Sequence, residues 1–220
     1  MQPGEEASQT IFKELTSADS EVRARYLALF DTEAREFADI MGNAMVAWRS
    51  LDGEVRGNER KAYVAGLVFA AITLHVISLK LFLSGHIVAA GNLFRQVIES
   101  IALALLCSGK DLEYLDRFMK DEYSGNLAVR DVLRQSGRLG VKEDALEVLR
   151  ESQEFYHRYS HMTRLTLATL MSFAEDGLYV GASFDEGKVE AYRKEMAGRL
   201  GLARVFPNFV AGVKANFAKW

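Results

Sequence analysis

Apolar residues recur every three to four positions over most of this chain, the period of helices that bury one face. Val22, Tyr26, Leu29, Phe30, Phe37, Ile40, Met41 and Trp48 predict a long first helix, with Asp19 or Ser20 as its N-cap. Gly53 and Gly57 then signal a turn, and Asn58 can cap the helix that follows. The stretch from Ala62 to Leu79, AYVAGLVFAAITLHVISL, is the most apolar part of the sequence. Gly85 interrupts it before His86 to Cys107, HIVAAGNLFRQVIESIALALLC, which reads as core helix carrying a polar stripe. These two helices, Ala62 to Leu83 and Ile87 to Cys107, are expected to form a central antiparallel hairpin.

Ser108-Gly-Lys-Asp111 predicts the next turn. A charged amphipathic stretch from Leu112 to Gln135 follows, with Gly125 a point of interruption, and Gly137 and Gly140 close it. Val141 to Ser160 predicts another amphipathic helix, nearly continuous with the apolar run Met162 to Phe173. Leu178 to Phe184 has little helical pattern and is expected to be extended. Asp185 is positioned to cap a last helix, bent or broken around Gly198, Gly201 and Pro207. The only prolines are Pro3 and Pro207, so nothing between them carries the ring clash and missing donor that break a helix. The reading is an all-α bundle of about six or seven helices, with residues 1–18 a flexible N-terminal segment and 19–220 a single helical domain.

Composition narrows the function classes. With 49% hydrophobic and 26% charged residues the chain can bury a core, which argues against extensive disorder. A net charge of -3 gives no global field toward nucleic acid or an anionic membrane, so any such binding must be local. The single cysteine, Cys107, follows an apolar run and reads as a buried inert thiol. The acidic, polar start lacks the basic and apolar regions of an export signal, and the expectation is a cytoplasmic protein. Residues 62–79 are long enough to cross a bilayer. His75 within them, Lys80 beyond, and Arg95, Gln96 and Glu99 on the next helix favour the centre of a bundle instead, with no membrane span.

Two polar constellations interrupt the apolar pattern. Asn92, Arg95 and Glu99, at i, i+3 and i+7, share one face of an otherwise apolar helix, where charges require partners. The second, Arg150 to His161, gathers two histidines, two tyrosines and two arginines in little more than three turns. Glu154-x-x-His157 is half of a helical di-metal site without a second copy. His157 and His161 could chelate zinc, but no third ligand is identifiable, and Arg158 stands where a metalloprotease motif needs glutamate. Acid–base chemistry on a phosphodiester would use Arg150 for the phosphate and His157 for proton transfer, with Tyr156, Arg158 and Tyr159 holding RNA. The structural alternative pairs Arg150 with Glu147 or Glu154 and packs His157 and Tyr159 between helices.

Asn92-Leu-Phe-Arg95-Gln-Val-Ile-Glu99, the charged helix after it, and the later Tyr159-Ser160-His161 before an apolar helix resemble a group of uncharacterised bacterial all-helical proteins related to the HEPN superfamily. Ribonucleases of that superfamily carry an arginine, four to six intervening residues and a histidine, and act as metal-independent dimers. The resemblance covers about the middle half of the chain and implies a homodimer, no cofactor, and Arg150, His157 and His161 as catalytic candidates in an RNA-directed protein of defence or toxin type. Glu151 follows Arg150 where active members carry a different polar residue. Two further classes stay open: a non-catalytic helical binding or scaffold protein, and a helical metal-binding protein. Residues 196–220 add Arg199, Arg204, Lys214 and Lys219 among Phe206, Phe209, Phe217 and Trp220, a pattern suited either to a binding surface or to aromatics docked on the bundle.

Overall fold

A computed structural model describes residues 3–110 and 113–220. Asp111 and Leu112, expected to end a turn and begin a helix, lie outside the described residues. The chain is all-α, but it divides more finely than six or seven helices. The segments are α1 (Pro3–Thr16), α2 (Ser20–Glu54), α3 (Glu59–Leu83), α4 (Ile87–Ser108), α5 (Glu113–Met119), α6 (Gly125–Arg134), α7 (Ser136–Leu139), α8 (Glu143–His157), α9 (Arg164–Leu170), α10 (Val189–Ala203) and α11 (Phe206–Phe217). The added count comes from a helix over Pro3–Thr16, ahead of the first one expected, and from division of the 112–135 and 141–173 stretches.

The central hairpin is as the hydrophobic pattern requires. Asn58 accepts a hydrogen bond from the Lys61 amide and caps α3, and Gly85 turns the chain with φ +82°. A side chain at Gly85 would also collide with Val22 and the Ser183 backbone, so that position needs glycine on two counts. On α4, Val97, Ile98 and the run Ile101 to Cys107 are buried, and α3, α6, α8 and α11 surround this helix, while α2 packs on the outer side of the hairpin against α3. Burial pushes the Cys107 thiol up to about 12, leaving it inert. Both α3 and α4 are long and apolar enough to cross a membrane by length and composition.

Elsewhere the local signals give way to packing. Gly53 stays within α2, whose kink lies at Phe30 instead. Gly198 and Gly201 stay within α10, and the break falls at Arg204 and Val205, just before Pro207 opens α11. The 141–173 stretch is not one helix. α8 ends at His157, a 3-10 turn spans Arg158–Ser160, and Thr163 caps α9 by accepting from the Thr166 amide. The extended segment after Gly177 finds its partner in the end of α9, where Met171 and Leu178 form an antiparallel bridge. Asp185 fastens this loop, accepting from the Phe173 amide at 2.6 Å and the Gly187 amide at 2.8 Å.

His75 is wholly buried against the rings of Phe37, Phe94 and Phe206, with neither ring nitrogen hydrogen-bonded. Burial, and then the nearby Arg199 charge, push its pKa down to about 3. The unfolded chain protonates this histidine near pH 6.5 while the folded chain does not, so its contribution to stability is complete above pH 6.5 and is lost as pH falls toward 3. At pH 5 the loss is about 2 kcal/mol at ~1.4 kcal/mol per unit. Urea unfolding between pH 7 and pH 5 should show that decline, and His75→Leu should remove most of it. An equal decline in the variant would assign the acid sensitivity elsewhere.

Candidate functional site

The two polar constellations, some sixty residues apart in sequence, face each other across the seam between α4 and α8. Arg95 is the hub. Its Nε donates to Glu99 Oε1 at 2.7 Å, Nη1 to Ser160 Oγ at 2.8 Å and Nη2 to Asn126 Oδ1 at 3.3 Å. Gln153 on α8 donates to Asn126 at 3.0 Å and to Glu99 at 3.4 Å. Asn92 donates to the Tyr159 carbonyl at 3.0 Å and accepts from Ser160 Oγ at 2.8 Å. The i, i+3, i+7 stripe of α4 thus receives the end of α8 and the 3-10 turn, with Arg95 and Glu99 half-buried and mutually neutralised.

Beneath this seam lies a second, deeper network. Glu195 on α10 accepts from Tyr156 Oη at 3.0 Å, from Tyr159 Oη at 2.8 Å and from Arg199 Nη1 at 2.5 Å. Arg199 is fully buried, and two of its nitrogens have no hydrogen-bond partner. The rings of Phe82, Phe94 and Tyr156 stand within 4.8 to 5.8 Å of its guanidinium carbon and supply cation–π contact instead. Burial opposes the Arg199 charge, but the Glu195 carboxylate outweighs it and holds the guanidinium protonated. Burial and the same carboxylate raise both tyrosine pKa values, so the phenols act as fixed donors. Tyr156 and Tyr159 are therefore core residues and their rings are not free to stack on RNA bases.

Arg150 is likewise committed: its guanidinium pairs with Glu147 at 2.5 Å and with Glu154. The intended phosphate ligand and the intended metal ligand Glu154 neutralise one another, as the structural alternative had it. His157 and His161 behave differently. Both are exposed, and their rings meet edge to face at 4.6 Å between centroids. Partial burial, then Arg95, then His161 draw the His157 pKa below its ordinary value, with Glu99 opposing, so Arg95 is the arginine that this histidine feels. Arg158 and Arg164 flank the pair, both exposed and neither ion-paired among the described residues. No acidic residue occurs from Phe155 to Ala174. The corner joining α8 and α9 is thus a local cationic patch on a chain of net negative charge.

Among the described residues, no group of three or more His, Cys, Asp or Glu side chains is gathered as metal ligands. The aromatic residues of the C-terminal segment are docked, with Phe206, Phe209 and Phe217 buried. Its cations are engaged too: Arg204 with Glu36, Lys214 with Glu54, and Lys219 with Asn216. No protein-family model, curated protein or solved structure matches this chain significantly.

Sequence reasoning missed Asn126, Gln153, Glu195 and the part played by Ser160, and it grouped Arg199 with the C-terminal cations of a candidate binding surface, whereas Arg199 is fully buried against Glu195. It also missed why position 91 is glycine. A Cβ there would stand 2.5 Å from the Tyr159 ring, which lies flat against α4. Gly91→Ala should force Tyr159 away from Glu195 and lower the unfolding free energy by about 1–3 kcal/mol, read from the urea midpoint. Combined with Tyr159→Ala, the two losses should be clearly less than additive. Additive losses would show that Gly91 and Tyr159 do not act through one contact.

Proposed function

We propose that this chain is an RNA-directed helical protein of HEPN-like character, with the α8–α9 corner as its contact surface and metal-independent phosphodiester cleavage as its activity. The observation that carries the reading is the exposed His157 and His161 pair beside Arg95, flanked by Arg158 and Arg164. Unpaired cations contact phosphates whatever the base sequence. Two neighbouring imidazoles on exposed side chains, in edge-to-face contact in the free protein, supply a base and an acid to one phosphodiester when they part around it. His157, with its lowered pKa, is neutral near pH 7 and takes the proton from a ribose 2′-hydroxyl. That oxygen attacks phosphorus, and His161 delivers a proton to the departing 5′-oxygen, leaving a 2′,3′-cyclic phosphate. Arg95, not Arg150, is the arginine adjoining the reaction, and the seam holds it in place.

A second reading has one observation in its favour. Three of the five N–H donors of Arg95 are already committed to Glu99, Ser160 and Asn126, which lowers its capacity for a phosphate and suits a protein that binds RNA without cutting it.

The test is cleavage of single-stranded RNA in excess chelator, alongside binding measured by fluorescence anisotropy. His157→Ala and His161→Ala should each lower the cleavage rate by about 10²–10⁴ with the fold intact. The acid limb of the pH profile should lie below pH 6.5, because the lowered His157 pKa keeps the base neutral further into acid. Arg158→Ala and Arg164→Ala should weaken binding and each reduce the salt slope by about 0.7. Binding without cleavage would select the second reading. Folded protein that neither binds nor cleaves RNA would overturn both.

A further inference from the structure

α3 holds the most apolar stretch of the two central helices, yet only 44% of that stretch is buried within the chain, against 56% for α4. One face packs on α4 and α2, and the opposite face is exposed toward both ends and part-exposed at Ala70 and Thr73 in its middle. Tyr63, Phe69, Val76 and Ile77 on that face are 39–46% exposed. Spacings of three and four residues carry the same stripe from Glu59 at the first turn to Lys80 at the last. No charged residue lies between Ala62 and Leu79.

We infer that this face of α3 pairs with the same face of a second copy of the chain, the two α3 helices antiparallel about a two-fold axis near Phe69 and Ala70. Charge selects this occupant. Glu59 and Lys80 are exposed, neither has an ion-pair partner among the described residues, and they close opposite ends of the stripe, about 31 Å apart at 1.5 Å per residue. Antiparallel pairing sets each Glu59 against the partner's Lys80 at both ends, and sets the helix dipoles in opposition. Parallel pairing would oppose like charges.

Size selects it as well. Around the axis the stripe presents Gly66, Ala70 and Thr73, small enough to let two backbones approach closely, while the Phe69 ring leans to one side against Trp48, 4.6 Å between centroids. A lipid surface would have to accept the Glu59 carboxylate at the rim, and among the described residues Lys80 is the one cation at the border free to meet a headgroup, since Arg60 is tied to Asp116 and Lys61 to the Phe217 carbonyl. The interface is separate from the His157 corner, and the inference stands independently of the RNA reading.

Gly66 offers a clean probe. A Cβ there meets nothing within 4 Å, so Gly66→Arg leaves the single chain undisturbed and improves helix propensity while placing bulk and charge on the axis. Sedimentation velocity at high micromolar protein should find wild type as a dimer and Gly66→Arg as a monomer of unchanged or higher melting temperature. Glu59→Lys alone should weaken the dimer roughly tenfold, and the exchange Glu59→Lys with Lys80→Glu should restore it. A monomeric wild type overturns the inference, as does a Gly66→Arg dimer, or a double exchange that fails to recover. Flotation with phosphatidylcholine vesicles by a wild type that stays monomeric would overturn it in favour of lipid.

Discussion

A guanidinium sealed from water sets the terms for the rest of the molecule. Arg199 has one carboxylate, Glu195, and aromatic faces in place of its other partners. Removing the carboxylate from such a pair costs about 3–5 kcal/mol, because the remaining charge has no solvent to return to. Glu195 must therefore stay where it is, and the two phenols it accepts from are fixed with it. Through Tyr156 and Tyr159, α10 holds the end of α8 and the 3-10 turn down on α4, where Gly91 leaves room for the ring.

The functional consequence lies one residue away from each anchor. Tyr156 is buried and His157 exposed; Ser160 is tied to Asn92 and Arg95 while His161 projects outward. The turn alternates fixed and free side chains, so a pair of histidines on the surface is carried by a backbone with little freedom. For the cleavage proposed above, groups on a mobile loop would have to be ordered at each turnover, whereas the two histidines follow residues that the core holds in place. The same rigidity serves a surface that only binds, since preorganised cations lose less entropy on contact with phosphate.

Much of the scaffold is legible in the sequence because its signals are local or periodic. The absence of proline between Pro3 and Pro207, the Asn58 cap and the glycine at 85 delimit the α3–α4 hairpin, and the Asn92, Arg95, Glu99 stripe announces a polar seam on α4. What fills that seam is long-range, and spacing within one helix does not reveal it. Glu195 and Arg199, at i and i+4, look like any solvated pair; only the poor apolar stripe of α10, a helix that nonetheless buries the face carrying Tyr192, Met196 and Ala203, hints that they face inward. Arg150 and His157, seven apart, share a face by rule, but two glutamates within four residues of Arg150 claim it first. The break after His157 had a local signal, Thr163 ahead of an apolar run, which the continuous apolar pattern obscured.

Native-state hydrogen exchange on Glu195→Gln tests the central claim most directly, because glutamine keeps the shape of the side chain and removes the charge that fixes the corner. The account predicts that amides from Tyr156 to Arg164 lose protection through a local opening, well beyond any loss on α3 and α4. Unchanged protection at 156–164, or a uniform loss across the hairpin and the corner alike, would contradict the view that Glu195 is what holds the histidine pair in place.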